Sequence, residues 1–285
     1  MSEMVMPRRS ALGLLGGLAT AVSAPRGAMA ATGSIAGYDT PDGKLRALIM
    51  MRGALDDRLV IYWLRSQYFG LVDGAITPML GMVSASFSRY RPHKDGGYVA
   101  ARGEAAYFTD FQGSDVQASV RNPYTGQMMQ TPERSPHPSP VRIQADSTIS
   151  VAEGAGLQFK NVVEDVEIVG GDVLLNERSM STLPIAGSKP SLYNEIVTYR
   201  ATAADMADPA VKRPACTTSV TTTISWRSWM GMGDRPGHIL AVGAGGFVSS
   251  IDQLPPSWIR ATSRLHPDML KDPVAYLAPV WNSMG

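Results

Sequence analysis

The stretch YVAARGEAAYFTD, residues 98–110, decides the fold class because its side chains repeat with a period of two. Arg102 and Glu104 fall on one face of this stretch, whereas Val99 and Tyr107 fall on the other. Successive side chains point to opposite faces of a β-strand, whereas a helix repeats every 3.6 residues. The pattern therefore predicts a strand that presents charged groups on one side and apolar groups on the other.

Further short runs of this kind follow along the chain, and glycine-, asparagine- and proline-rich turns separate them. No helical pattern lies between these runs, so they predict an antiparallel sheet rather than parallel strands joined by helices. A sheet with this many strands protects its edges by curling or closing. The runs are Leu59–Tyr68, Met82–Arg91, Tyr98–Asp110, Val116–Arg121, Gln127–Gln130, Val141–Val151, Val162–Val169, Val173–Ser181, Glu195–Thr202, Thr218–Trp226 and Ile239–Ser249.

Two helical regions flank the predicted strands. Residues 44–53 place apolar side chains at helical spacing, and the tail from Pro255 predicts one or two short helices broken at Pro267 and Pro273. We therefore expect one all-β domain over residues 31–285. It is a single antiparallel, barrel-like or strongly curled sheet with a short N-terminal helix and peripheral C-terminal helices.

The first thirty residues have the anatomy of an export signal. Arg8 and Arg9 precede an apolar run over 11–22, and Ala28-Met29-Ala30 forms a small-x-small cleavage site. A membrane span needs about 20 apolar residues, which this run lacks. The pattern predicts a twin-arginine-type signal over residues 1–30, cleavage after Ala30 and a periplasmic or secreted protein. An uncleaved signal that anchors the chain to the membrane is the alternative.

Charge excludes one class of partner. The chain has 26 basic and 25 acidic residues, and three of the arginines and one glutamate lie in residues 1–30. The remainder has a net charge close to −1 and no basic run, so we predict no nucleic-acid partner. Cys216 is the only cysteine and predicts a packed, small apolar side chain. The sequence carries no signal for an oligomeric state.

Familiar catalytic motifs are missing from the chain. It has no Gly-x-Ser-x-Gly elbow, His-Glu-x-x-His pair or phosphate loop, and its four histidines are widely spaced. We therefore predict neither a metal site nor a cofactor. A metal-dependent oxygenase remains a third hypothesis, because histidine and carboxylate ligands from distant segments can meet in a fold.

Ionisable residues inside strands provide the catalytic candidates. Glu195 and Tyr199 share one strand face, so a carboxylate and a phenol point the same way and can run cofactor-free acid–base chemistry. Glu177 lies in a neighbouring predicted strand, and His238 opens an apolar strand after Pro236-Gly237. The alternative places these charges on a solvated outer face.

Aromatic and amide side chains provide the ligand-binding candidates. The segment from Trp226 to Met230 concentrates two indoles around an arginine, which favours either an aromatic cradle or a barrel plug. Asn122-Pro-Tyr-Thr-Gly126 is typical of a tight turn, and its alternative role is to project side chains into a pocket. The candidates are Trp226, Trp229, Tyr62, Arg200, Asn122 and Tyr124.

These residues lead to two hypotheses about function. The first is an exported protein that binds a small apolar or aromatic molecule and acts on it as a lyase, isomerase or hydrolase. The second is a non-catalytic periplasmic ligand-binding or envelope-associated protein. An enzyme should bring several of Glu177, Glu195, Tyr199 and His238 around one cavity with at least one displaced pKa. A binding protein should show an aromatic and methionine-lined cavity without them.

Several of these segments resemble a known family. They are Leu45 to Tyr68, Tyr107-Phe108-Thr109-Asp110, Asn122 to Gly126, and Trp226 to Gly233 followed by Pro236-Gly237-His238. They are similar to a bacterial and fungal family known only as domain of unknown function 1838. The resemblance covers nearly the whole chain after the signal, and members of that family often look exported. It implies no established activity.

Overall fold

A computed structural model describes residues 37–132, 136–151, 158–184 and 190–284. The predicted signal, residues 1–30, lies outside the described residues. Thirteen strands and five α-helices make up this part of the chain. The strands are β1 (Val60–Val72), β2 (Ala75–Pro92), β3 (Tyr98–Thr109), β4 (Ser119–Arg121), β5 (Met128–Gln130), β6 (Ser139–Ile143), β7 (Ile149–Val151), β8 (Gln158–Val163), β9 (Glu167–Val169), β10 (Asp172–Leu183), β11 (Ser191–Thr202), β12 (Cys216–Ile224) and β13 (His238–Val248). The helices are α1 (Pro41–Arg52), α2 (Ala203–Ala207), α3 (Pro256–Leu265), α4 (Pro267–Lys271) and α5 (Pro273–Ser283).

The strands build one large antiparallel sheet in the order β7-β6-β3-β2-β1-β13-β12-β11-β10-β8, with β9 paired to the start of β10. The edge strands β7 and β8 approach each other, with Cα atoms within 8 Å, so the sheet curls into a nearly closed barrel. The predicted fold class is confirmed. Antiparallel neighbours that follow one another in the chain need only short turns, which the sequence supplies.

Alternation of side chains separates the inside of the barrel from the outside. In β12, residues from Cys216 to Thr222 alternate between buried and exposed without interruption, with Thr218, Val220 and Thr222 inside. The threonines suit a strand because their branched Cβ packs well on a pleated surface. The same alternation turns Tyr62 and Ser66 of β1 inward.

A two-residue turn fixes the longest hairpin. Asp73 and Gly74 connect β1 to β2 with φ angles of 49° and 78°. Both angles lie in the left-handed region, which a type I′ hairpin turn requires and which glycine adopts without strain. The turn pairs Val72 with Ala75 and sets the register that brings inward residues of the two strands together.

Helix α1 closes one end of the barrel. The Thr40 hydroxyl accepts a hydrogen bond from the Gly43 amide at 3.1 Å, and Pro41 supplies a φ angle suited to the first turn. Its buried face, including Leu48 and Met51, packs into a cluster with Leu175 of β10. Cys216 lies in the same cluster, and burial raises the pKa of its thiol to about 12.

A second apolar cluster closes the other end. The β4–β5 hairpin and a 3-10 turn at Ser228–Met230 pack against the far ends of β1, β12 and β13. Met129, Met230 and Met232 are buried there. Both ends of the barrel are therefore plugged, which leaves an interior between them.

The C-terminal helices cover the outer face of β2 and β3. Trp258 of α3 is completely buried and donates a hydrogen bond from its indole N–H to the Ala105 carbonyl at 2.8 Å. Gly103 lets α5 approach, because a Cβ at this position would lie 2.4 Å from the Tyr276 ring. Small residues on the outer face of β3 thus admit large aromatic side chains from the helices.

Three predicted segments divide differently from the sequence prediction, and several strands begin or end at other residues, such as β2, which starts at Ala75 rather than Met82. The run Val141–Val151 is a hairpin of β6 and β7, because Gln144 accepts a hydrogen bond from Ser147 in a tight turn where Ser147 has a φ of 69°. The run Val162–Val169 is likewise two strands, β8 and β9. The tail forms three helices rather than one or two, since Pro267 and Pro273 each start a new one. Among the described residues, none of the helices is long and apolar enough to cross a membrane.

Candidate functional site

Two adjoining cavities occupy the barrel interior between the end plugs. The inner cavity has a volume of about 370 Å³ and the outer one about 400 Å³. Both fall in the size range of small-molecule sites. Charged and aromatic side chains line the inner cavity. The outer cavity lies closer to the 3-10 turn at Ser228–Met230, and Trp229 and Met230 of this turn line it. The two cavities share Tyr68, Met82, Glu104, Ser181 and Tyr193.

Glu177 of β10 lines the inner cavity, and three side chains donate hydrogen bonds to its carboxylate. Its carboxylate forms a salt bridge with Arg52, the last residue of α1. Tyr199 donates its hydroxyl to the same carboxylate at 3.0 Å, and the Asn161 amide donates to the other oxygen at 3.1 Å. Glu177 and Arg52 are only 5% and 15% exposed, so the pair is fixed and shielded from solvent.

The pKa shifts in this cluster follow from burial and charge. Burial raises the pKa of Tyr199 well above its ordinary value, and the Glu177 carboxylate raises it further. Burial alone would lower the pKa of Arg52, but the attraction of Glu177 raises it well above the ordinary value. At neutral pH the cluster therefore contains a charged ion pair and a neutral phenol.

Glu195 of β11 forms a second centre in the same cavity. Tyr193, two residues earlier on the same face, donates its hydroxyl to the Glu195 carboxylate at 2.6 Å, and Thr222 donates at 3.3 Å. Burial raises the pKa of Glu195; the Tyr193 hydrogen bond opposes this, and the negative charges of Glu104 and Glu177 add to it. Both bonds go to one oxygen, and within the described chain the other oxygen has no hydrogen-bond partner.

Arg102 and Glu104 of β3 face Glu195 from the opposite wall, since β3 and β11 lie five places apart in the strand order. The Arg102 guanidinium contacts the Glu104 carboxylate at 2.7 Å. Their side chains are 35% and 36% exposed, although both line the cavity, so this exposure is to the interior space. The Glu104 charge raises the pKa of Arg102.

Tyr62 of β1 completes the inner wall. Its hydroxyl is hydrogen-bonded to that of Thr218 at 2.9 Å, and burial raises its pKa to about 12. Gly245 makes room for this contact, because a Cβ there would lie 2.9 Å from the Tyr62 oxygen and 2.2 Å from the Trp63 carbonyl oxygen. Gly245, in the glycine-rich segment 243–246, thus lets the backbone of β13 lie close to that of β1.

The structure brings together three of the four predicted catalytic residues: Glu177, Glu195 and Tyr199 line one cavity. It does not bring His238 to them. His238 starts β13, pairs with Leu71 at the plugged end of the barrel, and lies outside both cavity linings. Ile239 and Ala241 of β13 line the cavities, and successive residues of a strand point to opposite faces, so His238 lies on the outer face of the strand.

Two of the six predicted ligand-binding residues line the cavities, and the other four do not. Tyr62 lines the inner cavity, and Trp229 lines the outer one, where its ring lies 5.0 Å from that of Phe108. Arg200 points outward from β11, is 62% exposed and binds Asp172, so it does not reach the interior. Its even-numbered neighbours on β11 point outward with it.

Asn122, Tyr124 and Trp226 belong to the end plug. The Asn122 side chain accepts a hydrogen bond from the Tyr124 amide at 2.8 Å and donates to the Met230 carbonyl at 2.7 Å. The Tyr124 and Trp226 rings meet edge to face at 5.9 Å. These contacts hold the β4–β5 hairpin to the 3-10 turn, as the turn interpretation of this segment describes.

Three important residues were missed as site candidates by sequence reasoning. Tyr193 had a signal, because it lies two residues before Glu195 and therefore on the same strand face. Arg102 had a signal of the same kind, since it shares the charged face of residues 98–110. Arg52 had none, because nothing in a helical pattern shows that its last residue reaches into a barrel.

The described residues offer no metal centre, since no three histidine, cysteine, aspartate or glutamate side chains among them are close enough together to hold an ion. The candidate site consists of the Arg52–Glu177 ion pair, the Glu195 carboxyl group with its raised pKa, and Arg102 on the opposite wall.

Residues 56–279 match the model of a family described as Protein of unknown function (DUF1838). The chain belongs to this family. The matched range contains the strands of the barrel, helices α3 and α4, and Glu177, Tyr193, Glu195 and Arg102. It begins after α1, so Arg52 lies outside it. No curated protein matches the chain.

Proposed function

We propose that this protein binds a small ring-containing molecule inside the barrel and carries out cofactor-free acid–base chemistry on it, as an isomerase, lyase or hydrolase. The observation that carries the proposal is the convergence of Glu195, Tyr193 and Arg102 on one cavity, together with the raised pKa of Glu195. Displaced pKa values that meet in a cavity are typical of catalytic sites.

Glu195 is the proposed general base and acid. A carboxyl group whose pKa is raised toward neutrality both accepts a proton and returns it, which a strongly acidic carboxyl does poorly. Its second oxygen has no hydrogen-bond partner among the described residues, and Arg102 lines the same cavity. Tyr193 orients the carboxylate and does not compete for that oxygen.

Arg102 is the proposed stabiliser of developing negative charge. Only one of its nitrogens contacts Glu104, and a guanidinium has five N–H donors. Removal of a proton next to a substrate carbonyl by Glu195 moves the electron pair onto the carbonyl oxygen, where Arg102 donates. Return of the proton to another carbon gives isomerisation, and loss of a neighbouring leaving group gives elimination.

Glu177 and Tyr199 have a different proposed role. Both are engaged with Arg52 and with each other, and the Tyr199 hydroxyl donates its proton to Glu177, so this cluster is held in place by its own contacts. We assign them to holding α1 against the barrel and to fixing the floor of the cavity. The charge of Glu177 also contributes to the raised pKa of Glu195.

Deuterium exchange tests the catalytic proposal. Wild-type protein is incubated in D₂O with a panel of cyclic ketones and hydroxylated ring compounds, and proton NMR follows incorporation at carbon. We expect catalysed exchange for part of the panel, with Glu195→Gln slower by at least about 100-fold. Glu167→Gln, on the exposed end of β9, is the matched control and should keep the wild-type rate.

The alternative is a non-catalytic ligand-binding protein with the same interior. It is supported by the aromatic lining contributed by Tyr62, Trp229 and Phe247. In that case the panel shows binding by calorimetry without exchange, and Glu195→Gln changes neither. That outcome would remove the catalytic proposal.

Export through the twin-arginine route is a separate proposal, supported by the sequence of residues 1–30. Expression of the full chain in a bacterium with a periplasm should yield periplasmic protein whose N-terminus is Ala31, as measured by intact mass. The double variant Arg8→Lys/Arg9→Lys should remain in the cytoplasm. If the double variant reaches the periplasm as well as wild type does, the twin-arginine route is contradicted.

A further inference from the structure

We infer that the ligand of the barrel is an uncharged amphipathic molecule with an oxygen-bearing ring at one end and an apolar tail or second ring at the other. This inference rests on the proposed ligand-binding function and narrows its substrate class. Three observations carry it: internal charge compensation, an unpartnered hydroxyl in the inner cavity, and the different composition of the two cavities.

Four of the five charged side chains that line the inner cavity form two ion pairs. Arg52 binds Glu177, and Arg102 binds Glu104, so two cations and two anions neutralise each other within one cavity. The fifth charged side chain, Glu195, accepts a hydrogen bond from Tyr193. A ligand with a permanent negative charge beside Arg102 would also lie in the cavity lined by the Glu104 and Glu195 carboxyl groups, and like charges that share a site repel each other. An uncharged ligand fits without disturbing either pair.

Hydrogen-bonding side chains from several strands line the inner cavity. Ser66 of β1 lines the cavity, is 5% exposed, and has no hydrogen-bond partner for its hydroxyl within the described residues. Ser86 and Ser88 continue the polar wall along β2. A buried hydroxyl without a partner favours a ligand oxygen that completes its hydrogen bond. Glu195 of β11 and Thr222 of β12 add further polar groups to the lining.

The rings of the inner cavity favour a flat ligand head. Tyr62 and Phe247 lie 5.2 Å apart on neighbouring strands, and Tyr90 and Tyr193 line other walls. Aromatic faces pack against a ring with little loss of side-chain freedom. A ring that carries hydroxyl or carbonyl oxygens therefore satisfies both the aromatic and the polar parts of the lining.

The outer cavity is different. Of the side chains that line only the outer cavity, most are apolar, including Phe108, Ile224, Trp229 and Ile239. It adjoins the inner cavity, since five residues, among them Tyr68, line both. A molecule that fills both spaces therefore places its polar end beside Glu195 and Ser66 and its apolar end beside Trp229.

Calorimetry with simple probes tests this ligand class on the purified full-length protein. Phenol, 4-hexylphenol and 4-hexylbenzoate at pH 7.5 differ in tail and in charge. We expect 4-hexylphenol to bind at least tenfold more tightly than phenol and at least tenfold more tightly than the benzoate anion. Equal or tighter binding of the anion, or no gain from the hexyl tail, overturns the inference.

Two variants locate the ends of the probe. Trp229→Ala should remove most of the advantage of the hexyl tail and leave phenol binding unchanged, whereas Ser66→Ala should weaken phenol and 4-hexylphenol alike. Trp63→Ala, on the outer face of β1, is the control for loss of an indole. If Trp229→Ala does not fold, the wild-type series of ethyl-, butyl- and hexylphenol still decides, because affinity must rise with tail length.

This test separates the ligand class from the chemistry. If 4-hexylphenol binds as expected but exchange in D₂O does not depend on Glu195, the ligand class stands and the catalytic proposal fails. If exchange depends on Glu195 but anionic or tail-less molecules bind best, only the ligand class fails.

Discussion

Arg52 and Glu177 show how a buried ion pair is made tolerable. The pair is shielded from solvent, and Tyr199 and Asn161 donate further hydrogen bonds to the carboxylate. Such pairs stabilise a fold mainly by the penalty that follows when one partner is removed. Here the pair also joins the last residue of α1 to a central position of β10.

Removing one member of this pair should be strongly destabilising. We expect Arg52→Met and Glu177→Gln each to lower the free energy of unfolding by about 3–5 kcal/mol, since each leaves a buried group without its partner. The double variant Arg52→Met/Glu177→Gln should lose less than the sum. Urea denaturation of the four proteins measures this coupling, and strictly additive losses would show that the two residues act independently.

Glu195 makes stability depend on pH in a defined direction. Its pKa is above the ordinary value of 4.5 in the folded protein, so the folded state holds a proton that the unfolded state has released. Stability therefore falls as pH rises from the unfolded pKa through the folded one. The contribution of this group is most favourable below the unfolded pKa.

The variant Glu195→Gln removes this titration. We expect the free energy of unfolding of this variant, minus that of wild type, to increase as pH rises from about 4 to 8. The glutamine keeps the hydrogen bonds and carries no buried charge. Urea titrations at several pH values measure the difference. A difference that stays constant across this range would contradict the raised pKa of Glu195.

At the scale of elements, the outer helices and the inner cavity use opposite faces of the same strand. In β3, Arg102 and Glu104 point inward to the cavity, while Ala101 and Ala105 pack outward against α3 and α5. A one-residue slip in register would exchange these two sets completely. The helices therefore help to hold the charged face of β3 toward the cavity.

Trp258 is the centre of this outer packing. Trp258→Ala should lower the free energy of unfolding by about 3–5 kcal/mol, because it opens a cavity beside Phe87 and Tyr107 and removes the hydrogen bond to the Ala105 carbonyl. Val274→Ala, on the exposed side of α5, should change it by less than about 0.5 kcal/mol. Thermal and urea unfolding compare the two, and equal losses would contradict this packing.

At the scale of the whole molecule, the strand order predicts where the barrel opens. Strands β1, β2 and β13 each pair with neighbours on both sides along most of their length, whereas β7 and β8 form the edges of the sheet. Backbone groups in the middle of a sheet exchange only through larger openings. Hydrogen exchange should therefore be at least about 100-fold slower in the central strands than in the edges. Comparable rates in both would indicate a fully closed barrel.

The sequence predicted the fold class because a two-residue period is a local property of extended backbone. Residues 98–110 show it directly, and the confirmed sheet follows from many such runs joined by short turns. One strong local signal was overlooked: Asp73-Gly74 between apolar runs is typical of a two-residue hairpin and sets the β1–β2 turn. Glu195 and Tyr199 were also placed on one strand face from the same period.

Only the tertiary structure decided which groups meet across the interior. The sequence could not distinguish Glu177, locked by Arg52, from Glu195, which keeps one oxygen open, because the difference lies in partners from α1 and from other strands. It could not separate His238 from the cavity either, since that depends on which face of β13 turns inward when the sheet closes. Period and turn chemistry act over neighbouring residues, whereas burial, charge pairing and pKa arise from groups that closure of the sheet brings together.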